Sequence, residues 1–235
     1  MHEQAMLIKF SNQAVLKISS GIMDAIILAG GSGKRLRPLT DSMPKCMVLI
    51  NGRPMLQYHI DALKRFKTGK IVVSCGYKWE EVKKRYGSSL IYAVEDEPLG
   101  TAGAVKNALQ HIDGHEFFVI NADDLTDIDL SKLAKVGSNT TSVGPHKSPF
   151  GVVDVVDGKI KRFREKPVLP YFVNIGIHLL NKDVKYPDKG SLEFDVLPKL
   201  AAKGQLKAYK HTGYWVTVNT IKDLEEAEKV LKTAK

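Results

Sequence analysis

The sequence predicts an α/β fold with a mostly parallel central sheet, helices on both faces, and an antiparallel insertion in its second half. Three observations carry this. Short apolar runs alternate with stretches of 3.6-residue period through the first half. A glycine-rich turn directly follows the first apolar run, as it would at the carboxyl end of a buried parallel strand. Farther on, Asp157-Gly158 separates two strand-like segments, a strong signal for a tight hairpin.

Taken in order, residues Met1 to Ile22 carry no glycine-rich or catalytic pattern and read as an N-terminal extension, so a single domain is expected over 23–235. Ala25-Ile26-Ile27-Leu28 forms the first strand, followed by the glycine turn and a helical stretch ending near Phe66. Strand Lys70 to Cys75, helix Trp79 to Tyr86, strand Leu90 to Val94, helix Thr101 to Gln110, strand Glu116 to Asn121 and helix Leu130 to Lys135 continue the alternation. Gly151 to Val156 and Lys159 to Arg164 are the arms of the hairpin. Helix Phe194 to Ala202, strands Leu206 to Tyr209 and Tyr214 to Val218, and a helix from Ile221 complete the domain, with Thr220 and Asp223 spaced as an N-terminal cap.

Composition narrows the function classes. At 235 residues with 43% hydrophobic content, the chain can bury one sizeable core. No apolar run approaches the ~18 residues that cross a bilayer, and the N-terminus has no secretory pattern, so an unexported, cytoplasmic protein is expected. Cys46 and Cys75 have neither metal spacing nor the numbers for a disulfide framework. A net charge of +9 suits anionic partners, but with no basic helix, RNP-like motif or zinc-finger spacing, nucleic acid is not the expected one. Nucleotides and phosphosugars fit the same charge. The seven histidines have no pairwise metal spacing and no Ser or Cys lies in a nucleophile elbow, so direct displacement is favoured over covalent catalysis.

Leu28-Ala29-Gly30-Gly31-Ser32-Gly33-Lys34-Arg35 is a candidate phosphate cradle, because three glycines let backbone N–H groups approach an anion. It is not a Walker A loop, since Arg35 stands where Ser or Thr belongs. Leu36 replaces the third glycine of a dinucleotide fingerprint. Leu28 to Thr40, with Met43-Pro44-Lys45 and Asn51 to Leu56, resembles the opening motif of the sugar-1-phosphate nucleotidyltransferases. Lys34, Cys46 and Leu49 depart from that pattern.

The resemblance implies a Rossmann-like nucleotide-diphospho-sugar transferase fold with a sugar-binding insertion, and transfer of a nucleotidyl group from an NTP to a sugar 1-phosphate with Mg²⁺ as cofactor. It implies that Leu28, Ala29, Gly30, Gly31, Ser32, Gly33 and Arg35 wrap the triphosphate, with Arg35 and Lys45 neutralising its charge. Gly100, Thr101 and Ala102 would belong to the base pocket. Asp123, in Asn121-Ala122-Asp123-Asp124 at the end of an apolar strand, would be catalytic and a metal ligand, whereas Asp124 and Asp127 read as turn residues and solvated charges. Gly151, Glu165, Lys166 and Asn174 resemble the sugar-phosphate half, Glu165 and Asn174 meeting sugar hydroxyls and Lys166 the phosphate.

Many members have a second metal-binding Asp at the place of Thr217. Val218-Asn219 resembles the context in which a uridylyltransferase branch uses Asn, so Asn219 is expected as the second metal ligand. Glu95 to Ala102 is similar to the mannose- and heptose-phosphate guanylyltransferase branches, which ranks GTP with a mannose-type sugar ahead of UTP with a glucose-type sugar. A non-catalytic regulatory homologue lacking a metal ligand and a metal-dependent glycosyltransferase using Asp127 and Asp129 are the alternatives. No β-helical repeat follows, so an appended acyltransferase is not expected. A homo-oligomer is compatible with the sequence.

Overall fold

The computed structural model describes residues 22–233, so the N-terminal extension, apart from Ile22, lies outside the described residues. Strand β1 (Asp24–Leu28) alternates between two cores: Ala25 and Ile27 face one layer, Ile26 the other. A strand buried on both faces reads as a near-continuous apolar run, here Ala25 to Leu28 after a buried Asp24 whose carboxylate accepts from the Lys70 and Asp113 N–H groups, which is why this run was legible. After the glycine turn the chain makes three short 3₁₀ turns instead of one continuous helix before α1 (Met55–Phe66). Pro38 and Pro44, each without a backbone N–H, sit between those turns and keep them from fusing.

Next come β2 (Ile71–Cys75), α2 (Trp79–Tyr86), β3 (Ile91–Val94), α3 (Gly100–Ala108), β4 (Glu116–Asn121), β5 (Asp124–Thr126) and α4 (Leu130–Val136). The second half holds β6 (Thr140–Lys147), the hairpin β7 (Val152–Val156) and β8 (Lys159–Arg164), β9 (Val168–Asn181), α5 (Leu197–Ala202), β10 (Lys207–Lys210), β11 (Trp215–Thr217) and α6 (Ile221–Thr233). Asp157 and Gly158 have φ of 52° and 71°, the left-handed pair that a two-residue hairpin turn requires.

The central sheet has the order β10-β6-β9-β4-β1-β2-β3. It is mainly parallel, and its two antiparallel pairings both run through β9, against β4 and β6. Leu56, Ile60 and Leu63 of α1, with Val82 of α2 and Leu130 and Leu133 of α4, cover one face. Ala102, Val105 and Ala108 of α3, with Leu197 and Leu200 of α5, cover the other. A third cluster joins Leu36 and Ile50 after the glycine turn to Leu125, Val218 and Leu231 of α6. Truncating the fully buried Phe118, whose ring meets Phe66 edge-on at 5.0 Å, is expected to cost about 3–5 kcal/mol in urea unfolding.

Strands β6 and β9 were not read from the sequence. β6 buries Thr140, Thr141 and Ser142, and β9 is interrupted by Pro170 and Gly176, which read as strand breaks although most of its residues favour strand. Two of the three hydroxyls are satisfied across the sheet: Ser142 Oγ donates to the Ile177 carbonyl at 2.7 Å, and Thr141 Oγ1 lies 2.8 Å from His178 Nδ1, while Thr140 Oγ1 donates to the nearby Gly137 carbonyl. The expected helix Phe194 to Ala202 is also corrected. It begins as a π-turn over Leu192–Val196 and becomes α-helical only at Leu197, because Pro198 cannot donate the bond a regular helix would need there.

His178 is fully buried, and burial pushes its imidazole down to about 4. Folding therefore favours the neutral ring while the unfolded chain takes up a proton below about 6.5. That stability is present above pH 6.5 and lost as pH falls towards 4, on the order of 3 kcal/mol. Unfolding of His178→Gln across this window is expected to show a shallower loss than the parent.

Candidate active site

The glycine turn is anchored at both ends before it can hold anything. Ala29 N–H donates to the Ser74 carbonyl at 2.8 Å, and Ala122 N–H donates to the Leu28 carbonyl at 3.1 Å, which brings the end of β4 beside the turn. Gly33 has φ 65°, and a Cβ there would fall 2.8 Å from Thr40 Cγ2 and 3.0 Å from Lys45 Cβ. Only glycine tolerates both the dihedral and the contact. Thr40 Oγ1 then donates to the Gly33 carbonyl at 2.9 Å, and Leu36 is buried as the anchor of the turn.

Lys45 passes beneath Gly31, whose missing Cβ would lie 3.9 Å from Lys45 Cδ, and reaches Asp123. Its Nζ is 2.6 Å from Asp123 Oδ2 and 2.8 Å from Asn219 Oδ1. Arg35 Nη2 donates to the same Asn219 oxygen at 3.1 Å. Four residues picked out from distant parts of the sequence thus form one hydrogen-bonded cluster, with the Lys45 side chain 12% exposed and Asp123 31%. Asp123 Oδ2 and Asn219 Oδ1 both touch a single ammonium, so the same pair of hard oxygens could hold a divalent cation. Among the described residues no group of three or more His, Cys, Asp or Glu is so placed, so any such ion would complete its shell with substrate oxygens and water. A cavity of about 70 Å³ between α1 and β5 is separate and is lined by none of the four.

Asp124 is not a solvated charge, as the sequence suggested. It is 7% exposed, accepting from Trp215 Nε1 at 3.0 Å and Asn121 Nδ2 at 3.1 Å. Burial, then the neighbouring Asp123, pushes its carboxyl up to about 6 against the pull of donors that include Thr217. Gly176, φ 75°, leaves room for it: a Cβ there would fall 2.0 Å from Asp124 Oδ2.

The Gly100 segment is packed more tightly than a free pocket wall. A Cβ on Gly100 would fall 2.4 Å from the Gly190 carbonyl oxygen, and one on Gly103 2.5 Å from that of Asp188. Thr101 Oγ1 donates to Glu193 Oε2 at 2.8 Å, and Ala102 is fully buried with its N–H on the Gly190 carbonyl, so neither side chain is free for a ligand. The polar side chain facing the turn here is Glu95, which the sequence offered only as part of a branch-similar segment and not as a site residue. Its carboxylate accepts from Ser74 Oγ at 2.8 Å and Leu99 N–H at 3.2 Å and lies 3.3 Å from where a Gly30 Cβ would be.

In the sugar-phosphate half, Gly151 lies against the Phe163 ring, with Glu165 Oε2 3.1 Å from its missing Cβ. Glu165 and Lys166 are exposed, and no hydrogen bond joins them to the cluster among the described residues. Asn174 Oδ1 accepts from Thr141 Oγ1 at 3.2 Å and Gly176 N–H at 3.0 Å. Its oxygen is therefore used internally, and among the described residues its amide NH₂ has no hydrogen-bond partner, so donation is what it has left to offer. Asp129 caps α4, its Oδ1 accepting from Ser131 N–H at 2.9 Å and Lys132 N–H at 3.2 Å, and Asp127 pairs with His211 at 3.0 Å. The glycosyltransferase-type pair is thereby spent on structure.

A family model described as nucleotidyl transferase matches residues 24–234. The chain belongs to the nucleotidyl transferase family. Among members of that family, mannose-1-phosphate guanyltransferases of Yarrowia lipolytica and Pichia angusta are 35% and 36% identical over 86% of this chain. The chain spans 62% of the length of these relatives. Of solved structures, HddC from Yersinia pseudotuberculosis superposes with TM-score 0.70 at 28% identity, covering 91% of this chain and all of that one. The same protein complexed with GMP-PN gives 0.68, covering 88% and 99%. Among the described residues no helix is long and apolar enough to cross a membrane.

Proposed function

We propose that this chain transfers a nucleotidyl group from an NTP to a sugar 1-phosphate and releases pyrophosphate, with GTP and a mannose-type sugar as the substrates. The observation that carries the reading is the meeting of Arg35, Lys45, Asp123 and Asn219 beside the glycine turn. Such transfer requires positive charge and positioning around phosphate oxygens more than covalent chemistry. An oxygen of the sugar phosphate attacks the α-phosphorus, forming one P–O bond. The bond to the β-phosphate breaks, and its electron pair leaves with pyrophosphate.

Arg35 and Lys45 balance charge on the triphosphate while the glycine turn supplies backbone donors. Asp123 and Asn219 are the residues that would hold Mg²⁺, which when bound neutralises developing charge. Glu165 accepts from sugar hydroxyls, the Asn174 amide donates, and Lys166 pairs with the sugar phosphate. Guanine is favoured by Glu95: its base edge carries adjacent N–H donors, which a carboxylate beneath Gly30 can accept together, whereas uracil offers one such donor between two acceptors. The names of the relatives and the GMP-PN complex point the same way.

The test is a grid of four NTPs against mannose-, glucose- and heptose-type sugar 1-phosphates, scored for Mg²⁺-dependent pyrophosphate. GTP with a mannose-type sugar should give the highest kcat/KM. Release with no pair would favour the non-catalytic homologue suggested by Thr217.

A further inference from the structure

Thr217 ends β11 two residues before Asn219, and its surroundings show what the hydroxyl does. Asn219 Nδ2 donates to Thr217 Oγ1 at 3.1 Å. The amide is thereby turned so that Oδ1 points at Lys45 Nζ and Arg35 Nη2, both donors, and the flipped amide would set NH₂ against two cations. The backbone of Asn219 is fixed separately. Its N–H and that of Thr220 donate to Asp223 Oδ2 at 3.0 and 2.8 Å, while Thr220 Oγ1 accepts from Asp223 N–H at 3.3 Å, closing the cap of α6.

With its oxygen accepting from Asn219, Thr217 has one hydroxyl proton left to give. Directly across the β5–β11 ladder stands Asp124, the buried carboxylate that Trp215 and Asn121 hold in place. We infer that Thr217 is a positioning residue, linking buried Asp124 to the Asn219 amide so that a neutral oxygen is presented beside Asp123 to a divalent cation. An Asp at 217 would instead face Asp124 across the ladder, and like charges in that position repel. The inference rests on the reading of Asp123 and Asn219 as cation ligands.

The test uses Mn²⁺ alone as the probe, counted by the electron paramagnetic resonance of the free ion, in protein carrying Lys45→Met so that no ammonium competes for the two oxygens. Adding Thr217→Val is expected to weaken Mn²⁺ binding about 10-fold, the usual scale for residues that orient a ligand. Thr217→Ser, which keeps the hydroxyl, should stay within about threefold of the parent, and Asp123→Asn should abolish binding. Equal melting temperatures establish that the variants are folded. With Lys45 restored, Thr217→Val should raise the Mg²⁺ concentration for half-maximal turnover about 10-fold, with little loss at saturating Mg²⁺. Mn²⁺ affinity unchanged by Thr217→Val, with Asp123→Asn still abolishing it, would overturn the positioning role and leave the ligand reading standing. Affinity unchanged by Asp123→Asn would overturn both.

Discussion

Lys45→Met is expected to lower turnover by about 10²–10³-fold, the usual consequence of removing a preorganised charge stabiliser. The same change should raise the affinity of the ligand-free protein for Mn²⁺ about 10-fold or more, since the ammonium now touching Asp123 Oδ2 and Asn219 Oδ1 is gone. The opposed effects follow from one geometry. Without substrate the ammonium occupies the position between the two oxygens, and on binding a triphosphate it is expected to exchange them for phosphate oxygens. Steady-state kinetics and Mn²⁺ titration on the same preparation check both halves. A turnover loss below about threefold would make Lys45 a bystander.

Asp123→Asn is expected to lower turnover by about 10³-fold, through loss of the one carboxylate in the cluster. Asn is isosteric and the side chain is partly exposed, so the melting temperature should change little. Its proximity to Asp124 adds a second signature. The Asp124 carboxyl is pushed up first by burial and then by Asp123, so removing that charge should let it ionise at lower pH. Carbon-detected NMR titration of Asp124 in parent and variant reads that shift directly. Full activity in Asp123→Asn would move the chemistry away from the end of β4.

Much of the fold was legible because it is written in local periods. Strand Glu116–Asn121, helix Trp79–Tyr86 and the Asp157-Gly158 hairpin were read correctly from apolar alternation, helical period and turn chemistry. The strands Thr140–Lys147 and Val168–Asn181 were not legible. The hydroxyls of Thr141 and Ser142 are tolerated because partners from distant sequence satisfy them across the sheet, and Pro170 and Gly176 because the ladder shifts register around each. The reading of Asp124 as solvated failed for the same reason: nothing near it in sequence announces Trp215, 91 residues away.

The sequence by itself determined the kinds of group available: three glycines in a turn after a buried strand, two cations following it, a carboxylate at a strand end, and an amide ahead of the last helix. These are matters of covalent chemistry and local backbone preference. Tertiary structure alone decided that Arg35 meets Asn219 across 184 residues, that an ammonium stands between Asp123 and Asn219, and that Thr217 turns the amide. Hydrogen bonds act over about 3 Å, so they depend on which strands the sheet sets side by side, an order that burying apolar surface settles over the whole chain.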